Sequence, residues 1–122
     1  MATTLEVGKQ LVELCKQGKN DEALKTLYSK DIVSIEAGAP PGQSAEKRGL
    51  DAVIQKGVWW SENHIVHSAV TEGPFPHGDR FAVVFKYDIT QKATNQRFPM
   101  HEVALFTVAD GKIVKEEFFY TM

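Results

Sequence analysis

Three runs near the end of the chain restrict the fold more than anything else in it: residues 81–92 (FAVVFKYDITQK), 97–108 (RFPMHEVALFTV) and 112–121 (KIVKEEFFYT). All are rich in Val, Ile, Phe, Tyr and Thr, which suit a pleated surface. Between the last two lies Ala109-Asp110-Gly111, where Asp tolerates a turn and Gly accepts positive φ, so a tight hairpin is expected and the sheet is read as antiparallel. Such a sheet must bury at least one face, and the helical first half of the chain is the material that can cover it.

Length and composition narrow the class. With 122 residues, 43% of them hydrophobic, the chain suits one domain over residues 1–122 with a real core. Fourteen basic residues against sixteen acidic, a formal charge of -2, leave no basic stripe to neutralise phosphates, so nucleic acid is not an expected partner. The single cysteine, Cys15, cannot form an internal disulfide, and no charged and then apolar leader is read at Met1-Ala-Thr-Thr. The longest apolar run, Phe81 to Phe85, is far short of a membrane span. A cytoplasmic protein with no membrane partner is the expectation.

Along the chain, a first helix is expected to start after Thr3 or Thr4, to carry Leu5, Gly8, Leu11, Val12 and Cys15 on one face, and to stop at Gly18. Asn20 reads as the cap of a second helix with Ala23, Leu24, Leu27 and Tyr28 as its stripe, ended by a turn at Ser29-Lys30-Asp31. Ile32 to Ile35 is a short strand, and Ala37 to Gly42 a Pro/Gly loop. A third helix follows Arg48-Gly49, with Leu50, Val53, Ile54, Gly57, Val58, Trp60, Ser61 and His64 on one broad face and Trp59 opposite. Ile65 to Glu72 leads into a turn at 73–78 before the main sheet. Helices first and strands afterwards is an α+β arrangement.

Strong chemical signatures are absent: there is no CxxC, no HExxH, no phosphate-cradling glycine loop and no nucleophile elbow. Cys15 sits in an apolar stripe, where burial would raise its pKa, and is read as core. No spacing puts three of His64, His67, His77 and His101 on one face, so no metal site is expected. The informative residues are acids inside apolar strands: Glu102, and Glu116 with Glu117. A three-residue turn with Gly111 in the left-handed region puts Glu102, Ala104 and Phe106 on one face with Glu116, Phe118 and Tyr120. A two-residue turn at Asp110-Gly111 instead groups His101, Val103 and Leu105 with them. Glu116, Phe118 and Tyr120 stay together in both. One reading leaves that face solvated; the other turns Glu116 inward among Phe and Tyr, where its pKa would rise as a general acid or base requires.

The order of two helices, a short strand, a Pro/Gly loop, Arg48-Gly49 leading a third helix, and a sheet ending Val108-Ala109-Asp110-Gly111-Lys112-Ile113 resembles the SnoaL-like polyketide cyclase family of the nuclear transport factor 2-like superfamily. The resemblance covers nearly the whole chain. It implies a cone: three N-terminal helices packed on a strongly curved antiparallel sheet enclosing an apolar pocket. Relatives include cyclases, ketosteroid isomerases, dehydratases, epoxide hydrolases and many proteins with no known reaction, so fold alone does not decide function. Aligning the ketosteroid isomerases of the superfamily places their catalytic base at Glu36, their oxyanion tyrosine at Leu11 and their second acid near Ala104, so both electrophilic donors are missing here. The implied function is binding of a small apolar, cyclic molecule, with isomerase, cyclase or dehydratase chemistry by carboxylate proton transfer and no cofactor. Glu36 would be the base, Glu102 or Glu116 the neutral acid with Tyr120 assisting, and Trp60, His64, Phe118 and His101 would wall the pocket. The alternative is a non-catalytic ligand-binding or dimerisation module. A homodimer is expected in either case, paired through outer-face groups such as Phe119 and the Phe81, Val83, Phe85 row.

Overall fold

A computed structural model describes residues 2–39 and 41–121. The N-terminal layer begins with α1 (Thr4–Lys16), opened by a capping box in which Thr3 and Glu6 satisfy each other's backbone N–H groups. Val7, Gly8, Leu11 and Val12 form its buried face, while Leu5 stays exposed. It ends as expected at Gly18, in a Schellman arrangement: Gly18 N–H bonds to the Cys15 carbonyl (3.0 Å) and Lys19 N–H to the Leu14 carbonyl (2.8 Å). A φ of +73° makes glycine the fitting residue there. Helix α2 (Asn20–Leu27) starts one residue earlier than expected, with Lys19 at its cap and no side-chain cap bond.

The expected turn at Ser29–Asp31 does not form. Strand β1 (Tyr28–Ile35) leaves α2 directly, because Tyr28 already pairs with Ile113 and is drawn into the core. A three-residue strand, β2 (Glu46–Arg48), follows the Pro/Gly loop and pairs antiparallel with β1. Helix α3 (Leu50–Asn63) then leads into β3 (His64–His77), β4 (Arg80–Gln91), β5 (Gln96–Ala109) and β6 (Lys112–Phe119). The turn expected at 73–78 is shorter: β3 runs on to His77 past Pro74 and Pro76, which an edge strand tolerates because their missing N–H groups need no ladder partner.

The six strands lie in the order β2-β1-β6-β5-β4-β3. Every neighbouring pair is antiparallel except β1 and β6, which run parallel, so the sheet is mixed and open, with β2 and β3 at its edges. Register shifts in β3 and at the β5–β6 pairing bend it, as bulges do. Helix α1 covers β3 and β4 while α3 covers β1 and β2, giving the α+β cone. Its core joins Val7, Leu11 and Leu27 to Ile32, Val53, Phe81, Val83, Phe85, Phe106 and Ile113, and the Phe81 and Phe106 rings stack at 4.9 Å. The Phe81, Val83, Phe85 row therefore faces inward, correcting its expected place on the outer face; the helices supply apolar partners that only the concave side offers. Among the described residues, no helix is long and apolar enough to cross a membrane.

Candidate functional site

The site is built by the last hairpin. Asp110 (φ 52°) and Gly111 (φ 74°) make a two-residue turn, so Ala109 pairs with Lys112 and Val108 with Ile113. One residue further the register shifts and Val114 is left without a partner, after which Phe106 faces Glu116 and Ala104 faces Phe118. The turn is the short one, yet the bulge restores the grouping expected of the long one: Glu102, Ala104 and Phe106 share the concave face with Glu116 and Phe118. Without the bulge, Ile113 in the core would bring Lys115 and Glu117 inward. His101 lies on the opposite, exposed face beside Lys86, which removes it from the expected pocket wall.

Strand β1 runs parallel beside β6 and aligns Ser34 with Glu116. Glu116 is 2% exposed and its carboxylate is fully engaged: Tyr28 donates its phenol hydrogen to Oε1, and the Ser34 hydroxyl donates to Oε2 at 2.6 Å. From α3, Lys56 reaches down and donates to Ser34 Oγ (2.5 Å) and to Glu36 Oε1 (2.7 Å), with Glu116 Oε2 at 3.8 Å and the Phe118 ring centroid at 5.0 Å. Tyr120 donates to the other oxygen of Glu36 at 2.9 Å. Side-chain exposure climbs from 3% at Glu116 through 20% at Lys56 to 25% at Glu36, so the cluster opens to solvent on the Glu36 side.

Glu102 stands apart. No described residue hydrogen-bonds its carboxyl, and burial, reinforced by the charge of Glu36 and opposed by Lys56, pushes its pKa up to about 7. Burial also raises Glu116, against the pull of Lys56, Ser34 and Tyr28. The phenols of Tyr28 and Tyr120 are raised, first by burial and then by the glutamates beside them. Burial pushes the Cys15 thiol to about 12, consistent with a packing role. Aromatic side chains border the group: Trp60 stacks on His64 at 4.5 Å and lies 5.8 Å from Tyr87, and the His64 Nδ1–H donates to the Trp60 carbonyl at 2.8 Å. Trp59 is 56% exposed. Two open surface depressions lie elsewhere, one between α1 and α2, the other around Lys86, Arg97 and His101.

The structure thus brings together Glu36, Glu102, Glu116, Tyr120 and Phe118, with Trp60 half-buried on α3 and His64 half-buried where β3 begins. Leu11 and Ala104, at the two donor positions of the isomerase comparison, are sealed in the core. Lys56, Tyr28, Ser34 and Tyr87 were not singled out as site residues. Lys56 had a readable signal, being three residues after Val53 and four before Trp60, while Tyr28, Ser34 and Glu36 share their parity with Ile32. The helical stripe is turned accordingly: Val58 and Ser61, expected inside, are exposed, and Lys56 is half-buried in their place.

Comparison with known proteins gives the same picture. A family model described as a SnoaL-like domain matches residues 2–120. No curated protein matches the chain. Among solved structures, a Mesorhizobium loti protein provisionally described as a SnoaL-like polyketide cyclase is 46% identical, with 98% of this chain and 100% of that one covered and a TM-score of 0.92. A Xanthomonas campestris protein of unknown function with a cystatin-like fold is 19% identical over 99% of this chain and 92% of its own, TM-score 0.79. A Bacillus subtilis protein provisionally described as an isomerase is 13% identical over 98% and 90%, TM-score 0.81. The last two share the fold alone.

Proposed function

The chain belongs to the SnoaL-like family, and from that premise we propose that it binds a small, uncharged, largely apolar cyclic molecule and moves a proton on it through Glu102. One observation carries the reading: of the three carboxyls gathered on the concave side, Glu102 is the one with no hydrogen-bond partner among the described residues, while Glu36 has both oxygens engaged and Glu116 is sealed. We therefore assign the proton-exchanging role expected of Glu36 to Glu102, because both Glu36 oxygens are already engaged by Lys56 and Tyr120.

A carboxyl with a pKa of about 7 is present in both protonation states near neutrality. In its charged form Glu102 takes a proton from a carbon next to a ligand carbonyl, leaving the electron pair as an enolate; returning the proton to a second carbon gives the isomer and regenerates the carboxylate. The Lys56 ammonium, whose N–H bonds go to Ser34 and Glu36, acts on the developing negative charge through its field, and Tyr120 holds Glu36 in place. Trp60, His64 and Phe118 supply the apolar wall. The description of the Mesorhizobium loti relative as a polyketide cyclase supports the substrate class. Cys15 has no second cysteine to pair with, and we place the protein in the cytoplasm.

The test is tryptophan emission during titration with cyclic ketones and enones, followed by turnover of any that bind. Trp60→Phe is expected to remove most of the response and Trp59→Phe to leave it. Glu102→Gln keeps affinity within about threefold while turnover falls roughly 10²-fold or more. Undiminished turnover in Glu102→Gln removes Glu102 from the chemistry. Binding with no turnover in the native protein leaves a carrier of the same ligand, the reading that the fully satisfied Glu36 and Glu116 favour.

A further inference from the structure

Lys56 is the one cation in hydrogen-bond contact with the carboxyl cluster among the described residues, and it comes from the helical layer rather than from the sheet. We propose that Lys56 is a positioning residue, gathering Ser34, Glu36 and Glu116 around one ammonium so that Glu102 alone is left to meet a ligand; this rests on the proton-exchange reading of Glu102. The ammonium has three N–H bonds to place. Two go to Ser34 Oγ (2.5 Å) and Glu36 Oε1 (2.7 Å). What remains is directed between Glu116 Oε2 at 3.8 Å and the face of Phe118, whose centroid is 5.0 Å away. Held on four sides, the Lys56 side chain is fixed in place.

The consequence reaches every titratable group that faces it. Glu36 from the end of β1 and Glu116 from β6 share one positive charge, Tyr28 and Tyr120 complete their hydrogen bonds, and Cys15 on α1 feels the charge of Glu116. Glu102 on β5 feels all three charged residues, Glu36 and Glu116 raising its proton affinity and Lys56 lowering it. Lys56 also ties α3 to β1 through Ser34, and α3 carries Trp60, on which His64 at the start of β3 stacks. The arrangement assigns the three glutamates separate duties: Glu116 anchors, Glu36 balances the lysine, and Glu102 exchanges.

Carboxyl titration by carbon-13 NMR on the unliganded protein tests this, with Lys56→Met, Lys56→Arg, Glu36→Gln and the double variant Glu36→Gln/Lys56→Met beside the native chain. Removing the ammonium is expected to raise the Glu102 midpoint by about one pH unit, close to a tenfold gain in proton affinity. Lys56→Arg keeps the charge and stays within roughly 0.3 unit of native. Should Lys56→Met not fold, the double variant takes its place, since it removes both members of the 2.7 Å pair and leaves no unpaired carboxylate at Glu36. Its Glu102 midpoint then lies about one unit above that of Glu36→Gln. A midpoint unmoved by loss of Lys56, or moved as far by Arg as by Met, overturns the proposal. No ligand enters the measurement, so that result is separate from a failure of the turnover experiment on Glu102.

Discussion

Glu102 and Glu116 hold their protons more tightly in the folded chain than in the unfolded one, and stability must follow. A carboxyl whose folded pKa lies above its unfolded value contributes stability that is complete below the unfolded pKa and is lost as pH rises through the folded one. For Glu102 the window runs from about 4.5 to about 7. Glu102→Gln is therefore expected to leave stability at pH 4 nearly unchanged and to raise it at pH 8 by about 2 kcal/mol, in denaturant melts across that range. A parallel pair of pH profiles for the two proteins would mean that Glu102 is fully hydrated. Single residues were unevenly legible at this scale. Glu116, Phe118 and Tyr120 share a face in either turn register and could be grouped from the chain alone. Lys56 shares the helical spacing of Val53 and Trp60, but its partners were not readable, because the carboxylates that make its burial tolerable lie far away along the chain.

Among the elements, the strand near Val114 carries the most consequence. The period of two along a strand was readable, and so were both candidate registers; which one holds depends on a bulge that the turn residues do not encode. Deleting Val114 would remove the extra residue, so that β6 runs straight with Lys115 still opposite Thr107 and Glu116 still opposite Phe106. That variant is expected to keep a cooperative thermal transition by circular dichroism; loss of the transition would show that the bend at the bulge, and not the pairing alone, holds the sheet together. Helix α1 offers a second case. At Gly8 a Cβ would stand 2.9 Å from Pro74 Cβ and 3.2 Å from the Phe81 ring, so the helix approaches β3 as closely as it does because the side chain is missing. Gly8→Ala is expected to destabilise by roughly 1–3 kcal/mol through overpacking. Helix propensity by itself argues for a gain of about 1 kcal/mol, and a raised melting temperature would give it the victory. The three main strands and three helices were legible because their periodicity is local. The early start of β1 and the existence of β2 were not, since both depend on partners far along the chain.

At the scale of the whole molecule, the convex side of the sheet remains without a cover. Phe119 and Val103 pair across β5 and β6 while 52% and 40% exposed, and Val70 on β3 is 51% exposed. A homodimer closing this face is the expected state. Sedimentation at micromolar concentration should give twice the 13.6 kDa chain mass, and Phe119→Glu should return the monomer. A native protein that sediments only as the monomer would show that the face stays wet. The parallel neighbours β1 and β6 have a different kind of consequence. β6 occupies the middle of the sheet although it is the last strand to be made, so on the ribosome β1 and β2 have only each other until Phe119 has emerged. The hydrogen bond from Ser34 to Glu116 spans 82 residues of chain, and closing so long a loop is slow. The candidate site is therefore among the last parts of the protein to exist, and a nascent chain halted before Lys112 has the helices, the β3–β5 meander and the aromatic wall but no acid anchor and no second partner for β1.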